Sequence, residues 1–190
     1  MRGALRMDPG GGCPGSADPA HLAWLRDAGA DRVRHSGRTL LDHLRGTREL
    51  LAGWRAREVV CDAGLFHSVY GTGPLRHALL APSGREVVRE LIGPEAERRV
   101  WLFHAIDRRA FRALAATGCP GAVPERRHGA PLPLAEGELA DLANLLAANA
   151  LEQQPFGGSA RRRRTLALLR LRAHLLPAAV AALERLGSEG

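Results

Sequence analysis

The segment from residue 35 to residue 72 predicts two consecutive helices that carry histidines on their buried faces. In the first helix, for which Ser36 is a candidate cap, His43 lies at the edge of an apolar stripe with helical spacing formed by Leu40, Leu44, Leu51 and Trp54. In the second helix, residues 58–71, His67 shares a face with Val60 and Ala63. Because a buried imidazole needs a polar partner, these helices require a fold that supplies one to each histidine.

Helical spacing continues along the rest of the chain. Further helices are predicted at residues 19–29, 83–93, 94–107, 108–118, 136–153 and 159–186, the last divided near Pro177. No segment alternates apolar and polar residues over a useful length, as a half-buried strand would. The sequence therefore predicts an all-α fold.

A length of 190 residues fits a single domain with a substantial core. Residues 1–18 contain three consecutive glycines without periodicity, so we expect a disordered tail before a helical domain over residues 19–186. Residues 118–134 hold four prolines and three glycines, and they predict one long loop. That loop is either a lid over a pocket or a connector.

The net charge of +7 raises nucleic acid or an anionic surface as a partner. All 27 basic residues are arginine, however, which is typical of GC-rich coding bias, so we disfavour nucleic acid. Arg161 to Arg164 then form a solvated helix start, and an anion-binding patch is the alternative.

Cysteine usage and hydropathy favour a soluble protein of the reducing cytoplasm. The three cysteines lack CxxC spacing, which disfavours both a disulfide framework and a zinc knuckle. No signal-peptide apolar region and no run long enough to span a membrane is visible, so no membrane partner is expected.

His43 and His67 are candidate metal ligands, because two inward imidazoles on adjacent helices with a carboxylate from a third form a common ligand set. Asp107 supplies that carboxylate on the inward face of the helix over residues 94–107. A buried carboxylate is costly without a partner. The alternative is that Asp107 pairs with an arginine such as Arg38 or Arg108.

Several other polar residues are candidates for the same site, each with an ordinary structural alternative. His35 is a further ligand, a general base or a surface residue. His104, one turn before Asp107, is a ligand, a proton shuttle or a packing residue, and Tyr70 is an active-site hydroxyl or core. Asn149 and Glu152 interrupt an apolar helix, where they orient a ligand or substrate or tie a loop.

The stretch DHLRGTRELLAGWRAREVVCDAGLFHS resembles the core of the HD-superfamily metalloproteins. In that superfamily a histidine on one helix is followed by a His-Asp pair that ends the next, with another aspartate later. AGLFHS is similar to the AxLLHD element, and the spacing from His43 to His67 is similar to that in myo-inositol oxygenase-like members. The FHSVYGT ending resembles an uncharacterised bacterial branch. The resemblance covers roughly residues 20–153, and only the two-helix element is specific.

The resemblance implies a single HD-like helical bundle whose core spans residues 35–107, with a C-terminal extension at residues 159–186. Carried over by position, His43 and His67 match metal ligands, and Asp107 is the best match for the distal aspartate. Ser68 stands where the superfamily has its aspartate, and a serine cannot bridge two metals as a carboxylate does. This departure implies one metal, replacement ligands such as His35 or His104, or loss of the metal.

The function that these residues imply is a metal-dependent enzyme acting on a small polar molecule. Two histidines and one carboxylate resemble a non-haem iron oxygenase site, so a divalent transition metal is expected, iron first and manganese or another divalent metal next. The alternative enzyme is a phosphohydrolase of the HD superfamily, in which a metal activates water. The alternative of another class is a non-catalytic basic helical module that binds nucleic acid or an acidic partner.

Overall fold

The computed structural model describes residues 16–35, 37–71, 78–117, 121–135, 137–153 and 158–188. Within these ranges there are eight α-helices, which confirms the prediction of an all-α fold: α1 (Pro19–Asp27), α2 (Leu40–Gly53), α3 (Glu58–Phe66), α4 (Arg85–Ala105), α5 (Arg108–Thr117), α6 (Glu138–Glu152), α7 (Gly158–Leu169) and α8 (Pro177–Ser188). Two short 3₁₀ turns lie at Pro82–Gly84 and Arg172–His174. Most of the predicted tail, residues 1–15, lies outside the described residues.

Two small antiparallel sheets accompany the helices. Strands β1 (Arg34–His35) and β2 (Arg38–Thr39) pair just before α2, and β3 (Ala122–Pro124) pairs with β4 (Pro131–Pro133). The second pair lies inside the segment predicted as one loop, of which residues 118–120 are not described. Strands of three residues that contain proline show no alternation, so this hairpin leaves no strand pattern in the sequence.

Helix α2 begins at Leu40, several residues later than the sequence predicted. Its N-cap is Thr39, whose hydroxyl accepts a hydrogen bond from the backbone N–H of Asp42, while the Asp42 carboxylate accepts one from Thr39. The predicted cap at Ser36 is therefore wrong, and Ser36 itself lies outside the described residues. The β1–β2 pairing of Arg34 with Thr39 delays the helix start.

Helix α3 ends at Phe66 rather than at Gly71, which makes His67 its C-cap residue. The chain then turns, with the N–H of Val69 bonded to the carbonyl of Phe66 and with Gly71 in the left-handed region at φ +75°. Gly64 lies where α3 meets α2: a Cβ there would stand 2.5 Å from Leu51 Cδ1. The absence of a side chain lets the two histidine-bearing helices approach closely.

Helix α4 contains a break where the sequence predicted two separate helices. Gly93 has φ +79° and ψ 160°, outside helical geometry, and Pro94 restarts the helix. The predicted division of this region into one helix before Pro94 and another after it is thus confirmed. Pro177 likewise begins α8, the second of the two C-terminal helices.

The core is formed mainly by the packing of α2 against α3 and α6, with α4 covering α3. Its largest fully buried side chains are leucine and phenylalanine, including Leu44, Leu51, Leu65, Phe66, Phe103, Leu142 and Leu145. Helices α7 and α8 pack on one another, and α8 also contacts α6. None of the helices in the described ranges combines the length and apolarity needed to cross a membrane.

Candidate functional site

His43 and His67 meet in the interior between α2 and the end of α3. Both side chains are fully buried, at 0% exposure, which confirms the prediction that they point into the core. Their Nε2 atoms are 3.1 Å apart, and the rings stand edge to face with centroids 5.0 Å apart. The predicted juxtaposition of the two histidines is therefore present in the fold.

The other nitrogen of each ring is bonded to an oxygen. Nδ1 of His67 donates to the backbone carbonyl of Gly64 at 2.7 Å, which fixes the proton on Nδ1 and leaves Nε2 with its lone pair. Nδ1 of His43 contacts a carboxylate oxygen of Glu152, the last residue of α6. When Glu152 is ionised, His43 carries its proton on Nδ1 and both Nε2 lone pairs point to the same place.

Glu152 is held from the other side by Arg38. The guanidinium of Arg38, on β2, pairs with the Glu152 carboxylate and also donates to the backbone carbonyl of Glu152 at 2.8 Å. Because that carbonyl is at the end of α6, it has no partner within the helix. Arg38 thus ties the β1–β2 hairpin to the C-terminus of α6 and fixes the carboxylate that orients His43.

His35 lies beside this pair, in partial contact with solvent. Its ring centroid is 4.5 Å from that of His43, and its Nε2 accepts a hydrogen bond from the side-chain amide of Gln153 at 3.1 Å. Gln153 donates its other N–H to Asn149 Oδ1 at 3.3 Å. The Asn149 side chain also lies within hydrogen-bonding reach of both His43 and His67, so it is a further polar group beside the pair.

Burial keeps the histidines of this cluster neutral. Desolvation, followed by repulsion from the protonated form of His35, lowers the pKa of His43 to about 3. Desolvation, followed by repulsion from the protonated form of His43, lowers the pKa of His67 well below its usual value. Desolvation also lowers the pKa of His35 and raises the pKa of Glu152 to about 7, although Arg38 opposes the latter shift. Neutral imidazoles are the form that binds a metal ion.

Asp107 lies elsewhere, at the start of α5. Its Oδ1 accepts hydrogen bonds from the backbone N–H groups of Arg109 at 2.9 Å and Ala110 at 2.7 Å, so it caps that helix. Throughout the part of the chain that the structure describes, no three His, Cys, Asp or Glu side chains form a group that could hold a metal ion. The predicted third ligand is thus committed to a helix cap and is not gathered with the histidine pair.

Tyr70 and His104 belong to a second buried cluster, around Glu97. The Tyr70 hydroxyl donates to Glu97 at 3.0 Å, and Arg85 binds both oxygens of that carboxylate at 2.6 and 2.7 Å. Nδ1 of His104 donates to the carbonyl of Gly71 at 2.7 Å, and its ring lies against Trp101. These contacts fit the packing interpretation of both residues.

Ser68 is buried between the two clusters along the chain. Its exposure is 2%, and its backbone carbonyl accepts the N–H of Gly71 in the turn that follows α3. It thus belongs to the turn that places His67 at the end of the helix.

Gln153 was not predicted at this site. Arg38 was named only as an alternative partner of Asp107, and it pairs with Glu152 instead. The run ANALEQQ, with Asn149 followed by polar residues at helical spacing, indicates that the end of α6 faces polar groups. Arg38 is 114 residues from Glu152 in the sequence, and His35 is 118 residues from Gln153. Local sequence patterns carry no information about contacts at such separations.

A family model described as a domain of unknown function, DUF6817, matches residues 24–108. No curated protein and no solved structure matches the chain. The matched segment begins in α1 and ends at the first residue of α5, so it contains His35, His43 and His67 but not Asn149 or Glu152. The similarity to this family therefore covers the part of the site that is formed by the β1–β2 hairpin, α2 and α3, and it does not cover the part formed by α6.

Proposed function

We propose that this chain is a metal-dependent enzyme of the HD-like kind acting on a small polar molecule, with His43 and His67 binding the metal through Nε2. The supporting observation is the 3.1 Å separation of these two nitrogens, whose rings are each held at Nδ1 by an oxygen. With metal–nitrogen distances of about 2.0–2.1 Å, two nitrogens this close could both bind one metal ion.

The residues present fit part of the expected ligand set. Two imidazoles with oriented Nδ1 protons match a metal site with its supporting hydrogen bonds. The predicted carboxylate ligand, Asp107, does not fit, because its Oδ1 caps α5. The side-chain amide of Asn149 lies near both histidines, and amide oxygens are ligands for divalent cations.

Each surrounding residue then has a defined part in the site. Gly64 and the ionised form of Glu152 keep the Nδ1 protons in place, so Nε2 is then the free nitrogen of each ring. Arg38 fixes Glu152, and His35 is the partly exposed imidazole nearest to His43, where it is placed to exchange protons with solvent. A bound transition metal would supply a Lewis acid that polarises a substrate oxygen or activates water.

Iron-dependent oxidation is the first candidate reaction, and it rests on the resemblance to myo-inositol oxygenase-like proteins. Hydrolysis of a phosphate ester is the second. The observation that favours it is the position of Arg108, which contacts the same Phe103 ring as His67. Its charge lowers the pKa of His67, after burial and the charge of His43 as the larger causes.

Metal content of the purified chain tests the proposal. After chelation and anaerobic reloading with Fe²⁺, Mn²⁺ or Zn²⁺, we expect about one equivalent of metal in the wild type and its loss in His43→Gln and His67→Gln. His104→Gln is the matched control, since His104 is also buried but contacts Gly71 and Trp101 instead.

Failure of the wild type to retain any of these metals at equimolar loading would overturn the proposal. If His104→Gln loses metal as the other variants do, general destabilisation explains the loss. With metal bound, oxygen consumption against phosphate release over a panel of small substrates separates oxidation from hydrolysis, and metal-independent retention of DNA supports the non-catalytic module instead.

A further inference from the structure

Four arginines converge at one corner of the molecule, beside the histidine pair. Arg108 and Arg112 are one turn apart on α5, Arg126 lies in the turn between β3 and β4, and Arg164 lies on α7. All three neighbours are close enough to Arg108 for their charges to act on it. The corner is therefore built from three separate parts of the chain.

Hydrogen bonds to the backbone bring the β3–β4 turn to this corner. The N–H of Arg126 donates to the carbonyl of Ala105 at 2.7 Å, and the N–H of Asp107 donates to the carbonyl of Pro124 at 2.9 Å. The turn is thus attached to the junction between α4 and α5. Backbone hydrogen bonds therefore determine where the turn lies.

Arg108 is connected to the histidine pair through Phe103. Its guanidinium lies over the ring of Phe103, 4.3 Å from the centroid, and the same ring meets His67 edge to face at 5.2 Å. Phe103 therefore contacts both Arg108 and His67. An anion bound at Arg108 and a metal bound at His67 would share this aromatic neighbour.

This arrangement of like charges is electrostatically unfavourable. Arginines at positions 108, 109 and 112 crowd the first turns of α5, where the helix dipole favours acidic residues. Burial, followed by the charges of Arg126, Arg112 and Arg164, lowers the pKa of Arg108 to about 10. A bound anion would relieve both the desolvation and the repulsion.

Carboxylates close in sequence to these arginines are engaged with the backbone. Asp107 accepts the N–H groups of Arg109 and Ala110, and Glu125 accepts the N–H of His128 at 3.2 Å. Within the described ranges, Arg108 forms no ion pair with a carboxylate.

We infer that Arg108, with Arg112 and Arg126 beside it, forms a binding site for a phosphate-sized oxyanion carried by a small molecule. The planar guanidinium suits two hydrogen bonds to such an anion. A small ligand fits better than a nucleic acid backbone, because Arg108 is only partly exposed and its guanidinium packs over Phe103. The bound anion would be part of the substrate of the proposed enzyme, and only this catalytic role rests on the proposed function. The anion site itself requires no metal.

Calorimetric titration of the metal-free full-length chain with inorganic phosphate, at constant ionic strength in chloride, tests the site. We expect measurable phosphate binding that weakens about tenfold or more in Arg108→Gln, as removal of a charge-assisted hydrogen bond predicts. Arg109→Gln, which removes the same charge from an exposed neighbour on the same helix, should bind phosphate within about twofold of the wild type.

Arg112→Gln is the second variant if Arg108→Gln does not fold, because Arg112 is exposed, and it too should weaken phosphate binding. Absence of phosphate binding to the wild type, or equal loss in Arg108→Gln and Arg109→Gln, would overturn the inference. Retention of a short DNA duplex without phosphate binding would assign the corner to nucleic acid. Phosphate binding by a chain that holds no metal would support the anion site while contradicting the proposed enzyme.

Discussion

Replacement of Gly46 by alanine should disturb the contact between Glu152 and His43 without altering either residue. Gly46 lies on α2, and a Cβ at this position would stand 2.8 Å from Glu152 Oε1 and 2.9 Å from its Cγ. Contacts this short require a shift of the Glu152 side chain, which is buried and held by Arg38 and His43. The new methyl group therefore competes directly with the carboxylate that orients His43.

The expected magnitude follows from two opposing contributions. Alanine stabilises a helix interior by about 1 kcal/mol relative to glycine, whereas overpacking a buried site costs about 1–3 kcal/mol. Gly53→Ala is the matched control, because Gly53 is on the same helix and its Cβ would have no heavy atom within 4 Å. Gly46→Ala should therefore be about 1–3 kcal/mol less stable than Gly53→Ala.

Urea denaturation at pH 7 measures the free energy of unfolding of both variants, and metal titration measures the effect on the site. Because Glu152 holds the proton of a ligand histidine, Gly46→Ala should weaken metal binding about 10- to 100-fold, with Gly53→Ala close to the wild type. Equal stability of the two variants, within about 0.5 kcal/mol, would refute the position of Glu152 described above.

Three further perturbations address the buried polar groups. Glu152 keeps its proton up to about pH 7 in the folded state, whereas the unfolded residue releases it near pH 4.5. The folded state therefore binds more protons between these values, and the free energy of unfolding should fall as pH rises through this window. Glu152→Gln should remove that part of the pH dependence in urea titrations at several pH values. Asp107→Ala should cost about 1 kcal/mol of unfolding free energy as a lost cap, while Asp107→Asn stays near the wild type, and neither should lose metal by elemental analysis; metal loss in a stable Asp107→Asn would restore Asp107 as a ligand. Tyr70→Phe should cost about 1 kcal/mol and Glu97→Ala roughly 3 kcal/mol in thermal or urea unfolding, because the latter leaves Arg85 without its carboxylate; equal costs would contradict this account.

Local periodicity predicted the helices because each apolar stripe is a property of consecutive residues. It placed His43 and His67 on buried faces, and the structure confirms both positions. It failed at helix ends and at the β3–β4 hairpin, where the outcome depends on pairing with residues elsewhere. Thr39 became the cap of α2 because β2 pairs with β1, and proline-containing strands of three residues gave no pattern to detect.

The sequence by itself determined an all-α chain with two inward histidines on consecutive helices. Only the tertiary structure decided which groups complete their surroundings. Asp107 and Glu152 are both acids near helix termini in the sequence, yet Asp107 caps α5 and Glu152 reaches His43. The physical reason is that the position of a carboxylate relative to a distant helix depends on how α6 packs against α2, which no local pattern encodes.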